Sequence, residues 1–416
     1  MESNIAEIAF HLVAQISLIL LFAKIGGEIF ERFLKQPGVL GELLTGILIS
    51  PFFLGKYINL PHASPLFPLD SSNILGISPE LYSLAQVAVI ILLFLSGVET
   101  DLSLFLKFFI PAFVIGTGGA IFPFALGILV TIWMGFADSF LHPTALFMGA
   151  TLTATSVGIT ARILSDMGKI NTPEGVTIIA AAVVDDVLGI LVLTIVLGIV
   201  DKGQISLAEA GIVTLKALGV WFLILIVGLI IVKPLTRFLK ALRSEGAWLG
   251  IVLAVTYFAS YLAESFGLAM IIGAYAIGLA FSTTDIKEEI IEDLRGVYHF
   301  LVPVFFVVMG MLVDITTMGK ALIFGIVITL VATFAKIFGC GIPAFFIRFN
   351  ILGATRLGIG MLPRGEVALI IAGIALAKEA ITHDIYGVAV LMTAVTTFLA
   401  PILLVPLLRI KKEGTK

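Results

Sequence analysis

Stretches of about 17–25 predominantly apolar residues follow one another along this chain, each long enough to cross a bilayer as a helix. Inside hydrocarbon every backbone N–H and C=O must be satisfied within the protein, so only helices or closed barrels can span. Stretches this long are not barrel strands. Composition agrees: 59% of the 416 residues are hydrophobic and 13% charged, with mean hydropathy +1.15, against about 25% charged in soluble domains. The sequence therefore predicts an all-α polytopic membrane protein. Thirteen segments are expected, near 5–30, 37–57, 80–99, 108–135, 143–165, 173–200, 206–232, 247–265, 267–283, 297–315, 318–348, 353–379 and 384–409. The fourth could be two short pieces. Linkers are short, leaving no room for a soluble domain.

With that count, the turns after odd-numbered segments and the C-terminal tail hold eighteen Lys and Arg, and the opposite face five. The positive-inside rule then places the N-terminus outside and the C-terminus in the cytoplasm. The acidic start (Glu2, Glu7) carries no basic n-region, so no cleaved signal peptide is expected. The single cysteine, Cys340, excludes a disulfide framework. Phosphate-binding glycine loops and metal-ligand clusters are missing from the sequence, so no nucleotide-driven step, metal or cofactor is expected.

Two pairs of segments match after a shift of seven. Leu40–Ser50 (LGELLTGILIS) aligns with Ile272–Ser282 (IGAYAIGLAFS), both glycines and the serine in register. Gly97/Asp101 and Gly310/Asp314 repeat a Gly-x-x-x-Asp spacing. An odd shift reverses direction through the membrane, so the halves form inverted repeats, an architecture of secondary transporters whose ion site lies between repeats. The same shift pairs the fifth segment with the twelfth. One is interrupted by Thr153, Thr155 and Ser156, the other by Pro363 and Gly365 beside Arg364 and Glu366. Unwound backbone at that depth is tolerated only against protein or a water-lined cavity, where its carbonyls and amides can serve an ion.

Asp185 and Asp186 occupy the middle of an apolar run from Thr177 to Leu197. A charge at the bilayer centre costs about 2.5–3.5 kcal/mol even on the mildest scale, so a pair is retained where a cation or proton visits it. Neighbours on a helix point about 100° apart, so one faces a cavity while the other meets a neighbouring helix. Lys336, deep in the eleventh segment, is the natural partner. Thr153, Thr155 and Ser156 could offer oxygens to a hard cation, although such hydroxyls also bond back to helix carbonyls. Arg364 and Glu366 read as a charge pair stabilising the second break, Asp101 and Asp314 as caps or interfacial anchors. Glu42 and Glu264 stay ambiguous. The stretch Asp285–Asp293 reads as a solvated amphipathic linker.

Thr153–Arg162 (TATSVGITAR), Val183–Gly189 (VVDDVLG), Phe334–Gly339 (FAKIFG) and Leu362–Ile370 (LPRGEVALI) resemble the second monovalent cation:proton antiporter family, most closely its NapA- and GerN-like sodium/proton antiporters. The resemblance spans nearly the whole chain. It implies the thirteen-helix, N-out, inverted-repeat fold shared by NhaA and NapA, in one transporter domain over 1–416. Within it, a core of about 108–200 and 318–409 would move against dimerisation helices of about 5–99 and 206–315 in a homodimer. It further implies that Asp186 binds the transported ion, that Asp185 pairs with Lys336, and that Thr155 and Ser156 lie in the unwound segment beside the site. Kef-type potassium relatives usually carry Gln where this chain has Asp185, which favours the sodium branch.

The expected activity is exchange of Na⁺ or Li⁺ for H⁺ by alternating access, with electrogenic stoichiometry, in a bacterial plasma membrane. The alternatives are K⁺/H⁺ exchange and, more remotely, Na⁺-coupled solute symport. An intramembrane protease would need aspartates on separate helices, and a channel would need a filter built from several subunits. No enzyme activity and no nucleic-acid partner are expected.

Overall fold

A computed structural model describes residues 5–60, 65–70, 73, 75–202, 207–242, 246–314, 316 and 321–416. The described secondary structure is helical: α1 (Ile5–Ile29), α2 (Gly38–Leu48), α3 (Pro79–Glu99), α4 (Leu102–Trp133), α5 (Pro143–Thr153), α6 (Val157–Asp166), α7 (Pro173–Lys202) and α8 (Leu207–Ala241) come first. Then follow α9 (Ala247–Ser265), α10 (Met270–Phe281), α11 (Lys287–Met311), α12 (Leu322–Ile347), α13 (Ile351–Gly360), α14 (Glu366–Ala377) and α15 (His383–Arg409). Counting α5 and α6 as one interrupted helix, ten described helices are long and apolar enough to cross a membrane. A count of thirteen adds the short apolar helices α2 and α10 and the interrupted pair α13–α14.

Several boundaries differ from expectation. The fourth segment is one continuous helix that starts at Leu102, where Asp101 accepts the Leu104 N–H at 2.9 Å as an N-cap. With the Ser103 hydroxyl on the same oxygen, these bonds hold the Asp101 carboxyl below the usual carboxylate range. The acidic stretch is not a linker: α11 begins at Lys287, and Ile290 and Leu294 on its inner face are fully buried. The seventh segment runs on to Ala241, so Lys233, Arg237 and Lys240 are helical, and Lys240 pairs with Asp285 in the turn between α10 and α11. Arg162 and Arg356, counted among the turn charges, lie on α6 and α13 and are buried. The expected starts at 206 and 318, together with Arg243 and Lys320, fall outside the described residues.

The helices pack as two groups. α4, α5, α7, α12, α13, α14 and α15 pack on one another, as do α1, α2, α3, α9, α10 and α11, with α8 against α9 and α10. The groups meet where α6 touches α2, α3 and α15 and where α7 touches α8. Repeat-related glycines make the tightest crossings. A Cβ on Gly46 would lie 2.0 Å from the Val307 carbonyl and 2.8 Å from the Gly310 Cα, and one on Gly278 2.1 Å from the Phe94 carbonyl and 3.0 Å from the Gly97 Cα. Gly46 matches Gly278 in the repeat and Gly310 matches Gly97, so the two contacts exchange under one two-fold relation. On the same relation α4 crosses α12 with Gly118 against Gly339.

Candidate ion site

Both interruptions expected from sequence are present, and they face each other. Residues 154–156 separate α5 from α6, and 361–365 separate α13 from α14. The Ser156 N–H donates to the Pro363 carbonyl at 2.8 Å, and the Thr160 hydroxyl to the Gly360 carbonyl at 2.6 Å. A Cβ on Gly365 would sit 2.8 Å from Ser156 Oγ and 2.9 Å from its Cβ, so a glycine lets the two interruptions approach without displacing that side chain.

A helix end leaves its last carbonyls without intrahelical donors and concentrates partial negative charge there. At the end of α5, two buried cations meet that need. Arg364 donates to the Leu152 carbonyl from Nη2 at 2.8 Å and from Nε at 3.3 Å. Lys336 Nζ donates to the Thr153 carbonyl at 2.9 Å. Its other two bonds go to Asp185 Oδ1 and the Gly119 carbonyl, both at 2.8 Å. The Gly119 carbonyl is free because the residue four ahead is Pro123, which has no N–H to return. All three ammonium donors are thus used, and the Lys336 and Asp185 side chains are both 0% exposed.

The neighbouring carboxylates diverge. Asp185 meets α12 through Lys336, whereas Asp186 is partly exposed and lines a cavity of about 430 Å³. Around that cavity stand Asp185, Glu366, Glu264, Tyr82 and Gln86. Asp185 Oδ2, Glu366 Oε2 and Gln86 Nε2 are buried there without a hydrogen-bond partner. Such atoms are costly unless something polar or charged joins them, so this cavity can receive a small cation or a proton.

Two expectations change. Arg364 and Glu366 do not pair: among the described residues the guanidinium donates to carbonyls, those of Leu152, Ala332 and Leu362, while Glu366 turns into the cavity. The two residues stand on either side of Gly365 at the start of α14, where no helical spacing brings their side chains together. The Thr153 hydroxyl bonds back to the Gly149 carbonyl at 3.1 Å, leaving its backbone oxygen as its contribution. Thr155 Oγ1 reaches the Met361 carbonyl at 3.4 Å. Tyr82 and Gln86 were not singled out from sequence, although two polar residues one turn apart in apolar α3 were the available signal. Asp314 accepts from the Thr316 N–H and hydroxyl, a local turn rather than part of the site.

A family model described as "Sodium/hydrogen exchanger, transmembrane" matches residues 17–410. The Na(+)/H(+)-K(+) antiporter GerN of Bacillus cereus is 34% identical over 393 residues, covering 94% of this chain and 95% of that protein. The high-affinity Na(+)/H(+) antiporter NhaS3 of Synechocystis is 32% identical, covering 100% and 93%. Among solved structures, the sodium proton antiporter MjNhaP1 of Methanocaldococcus jannaschii superposes with a TM-score of 0.68 at 19% identity, over 95% of this chain and 96% of that one.

Proposed function

We propose that this chain, which belongs to the sodium/hydrogen exchanger family, exchanges Na⁺ or Li⁺ for H⁺ at Asp186. The observation that carries this reading is the unequal fate of two adjacent acids. Asp185 is neutralised by Lys336, whereas Asp186 faces the cavity with no cation of the protein in an ion pair with it among the described residues. Moving an uncompensated carboxylate through the membrane interior is expensive. The site therefore crosses when Asp186 carries either a proton or a cation, and this restriction couples the two flows. Asp185 and Lys336 form a coupled unit with Asp186, which supplies the second proton needed for electrogenic exchange.

The rest of the assignment follows. The helices of 108–200 and 318–409 form the transporting core and those of 5–99 and 206–315 the scaffold through which a homodimer forms. Of the unwound segment, Ala154 lines the cavity, and Thr153, Thr155 and Ser156 support the ion site from around it. With the charge bias setting the C-terminus in the cytoplasm, the cavity beside the α9–α10 corner opens outward, and the host membrane is a bacterial plasma membrane. K⁺ is a second cargo to test, since the printed name of GerN includes it.

The test is cation-driven collapse of a preset pH gradient in proteoliposomes, with Na⁺, Li⁺, K⁺ and choline added in turn. Na⁺ or Li⁺ should move protons in the parent protein and not in Asp186→Asn. An undiminished response in that variant would remove Asp186 from the centre. Flux that needs an added organic solute would favour symport.

A further inference from the structure

A second cavity, of about 780 Å³, lies between α1, α2, α6, α11 and α15. It is on the other side of the crossover from Asp186. The Asp186 cavity is lined by the first turns of α14, which lead toward the end where Thr144 donates to the Ala380 carbonyl. The second cavity is lined by the far end of α6 (Arg162, Asp166) and by Arg409 at the far end of α15. Between the two, Leu43, Ile47, Ile159, Met309 and Phe398 border only about 20 Å³ of free space.

The lining of this second cavity carries four basic and four acidic side chains. Arg162 gives its Nε to Asp166 Oδ2 at 2.7 Å and lies over the Tyr298 ring, 4.9 Å from its centroid. Glu42, on α2, is the one of these four acids that is buried. It is 4% exposed, it lines the cavity, and its Oε2 has no hydrogen-bond partner. Arg162 Nη1 and the Tyr298 hydroxyl are likewise buried and unpartnered. Packing does not demand an acid here. In the matched repeat, Gly41 corresponds to Gly273 and Glu42 to Ala274, which is fully buried among apolar neighbours. The chain breaks its own two-fold pattern to place a carboxylate on one side of the barrier.

We infer that Glu42 is a second station for the travelling monovalent cation or proton, in the vestibule opposite the one that exposes Asp186. An ion released toward that side meets a buried carboxylate with one oxygen free before it reaches water. The inference rests on the exchange reading above, and it places a cargo-binding group on the scaffold side of the fold as well as in the core.

The experiment reads exchange separately from each face, in membrane vesicles of defined sidedness, for the parent protein, Glu42→Gln and Glu42→Asp. Loss of one nearby carboxylate should raise the half-saturating cation concentration about fivefold from the Glu42 face, with the Asp186 face unchanged and Glu42→Asp restoring part of the loss. An equal shift from both faces, or none, overturns the station. A second arm does not require transport: carbodiimide modification of Glu42, quantified by mass spectrometry in the Asp186→Asn protein. Protection by Na⁺ identifies a cation station. Modification that fades as pH rises but ignores Na⁺ identifies a proton station only, and modification indifferent to both overturns the inference. If the parent protein shows no exchange with any cation, the functional reading fails and this second arm alone decides Glu42.

Discussion

Lys336 Nζ lies 2.8 Å from Asp185 Oδ1, and neither side chain reaches solvent. Removing one partner of such a pair strands a buried charge, which costs about 3–5 kcal/mol. Lys336→Met should therefore lower the melting temperature of the purified protein sharply. The double variant Lys336→Met/Asp185→Asn should recover much of that loss, because it removes both charges. Thermal unfolding of the two proteins side by side checks it; purely additive losses would show that the pair is not coupled.

Arg364 closes the end of α5 with a fork that reaches the Leu152 and Ala332 carbonyls. Arg364→Gln cannot span both, and the buried Leu152 carbonyl, which lies at a helix end, costs about 1–3 kcal/mol when left unpaired. We expect a protein that is less stable and transports at least several-fold more slowly. Glu366→Gln, which breaks no ion pair among the described residues, should cost less stability than Arg364→Gln while altering the cation dependence of exchange. Equal damage from both variants would restore the paired reading of these residues.

Glycine positions divide into those that bear a crossing and those that do not. Gly46→Ala would place a methyl 2.0 Å from the Val307 carbonyl, a backbone atom that cannot swing aside. A loss of folded protein, or at least about 1–3 kcal/mol of overpacking strain, should follow in detergent-stability measurements. Gly189→Ala, whose Cβ would meet nothing within 4 Å, should be as stable as the parent.

A shared site makes protons competitors of the cation. Where Asp186 is mostly protonated, the apparent KM for Na⁺ should rise about tenfold for each unit that pH falls, with maximal rate preserved at saturating Na⁺. Initial rates over a grid of pH and Na⁺ concentration test this. A falling maximal rate with constant KM would place the proton elsewhere.

Much of the arrangement was legible from residues. Long apolar runs announced the helices, glycines recurring at matched offsets announced the inverted repeats though not that Gly46 meets Gly310 and Gly97 meets Gly278, and the interruptions of the fifth and twelfth segments announced the crossover. Two acids in one apolar run with one buried lysine announced a buried ion pair, and it was the family resemblance that assigned Asp185 to it. What stayed hidden depends on where backbone groups point. Nothing local in the sequence says that Arg364 serves carbonyls of α5, more than 200 positions away, instead of Glu366 two residues on. Nor does hydropathy show that α11 starts at Lys287: its first turns are amphipathic, and their apolar side is buried against protein, not lipid.

At the opposite end of the core, Arg356 and Glu174 form another buried pair, with Arg356 also donating to the Leu407, Ile410 and Lys412 carbonyls. Gly414 packs on Gly353 so closely that a Cβ on either would enter the other's backbone. Arg356→Ala should loosen the C-terminal residues from α13 and leave Glu174 unpaired, again costing about 3–5 kcal/mol. Limited proteolysis after Lys411 or Lys412 would report the release.

The passage from α3 to α4 consists of Thr100 and Asp101 alone, and Thr100 is itself tied back to the Ser96 carbonyl at 2.7 Å. A connection of two residues reaches only about 10 Å when fully drawn out. In the proposed division it joins scaffold to core, so at this corner the two are held on a short tether. A larger swing of the core would leave this corner near the scaffold and ask α4 itself to bend. Pro111 and Pro123 inside α4 are the places where that swing can be taken up as bending.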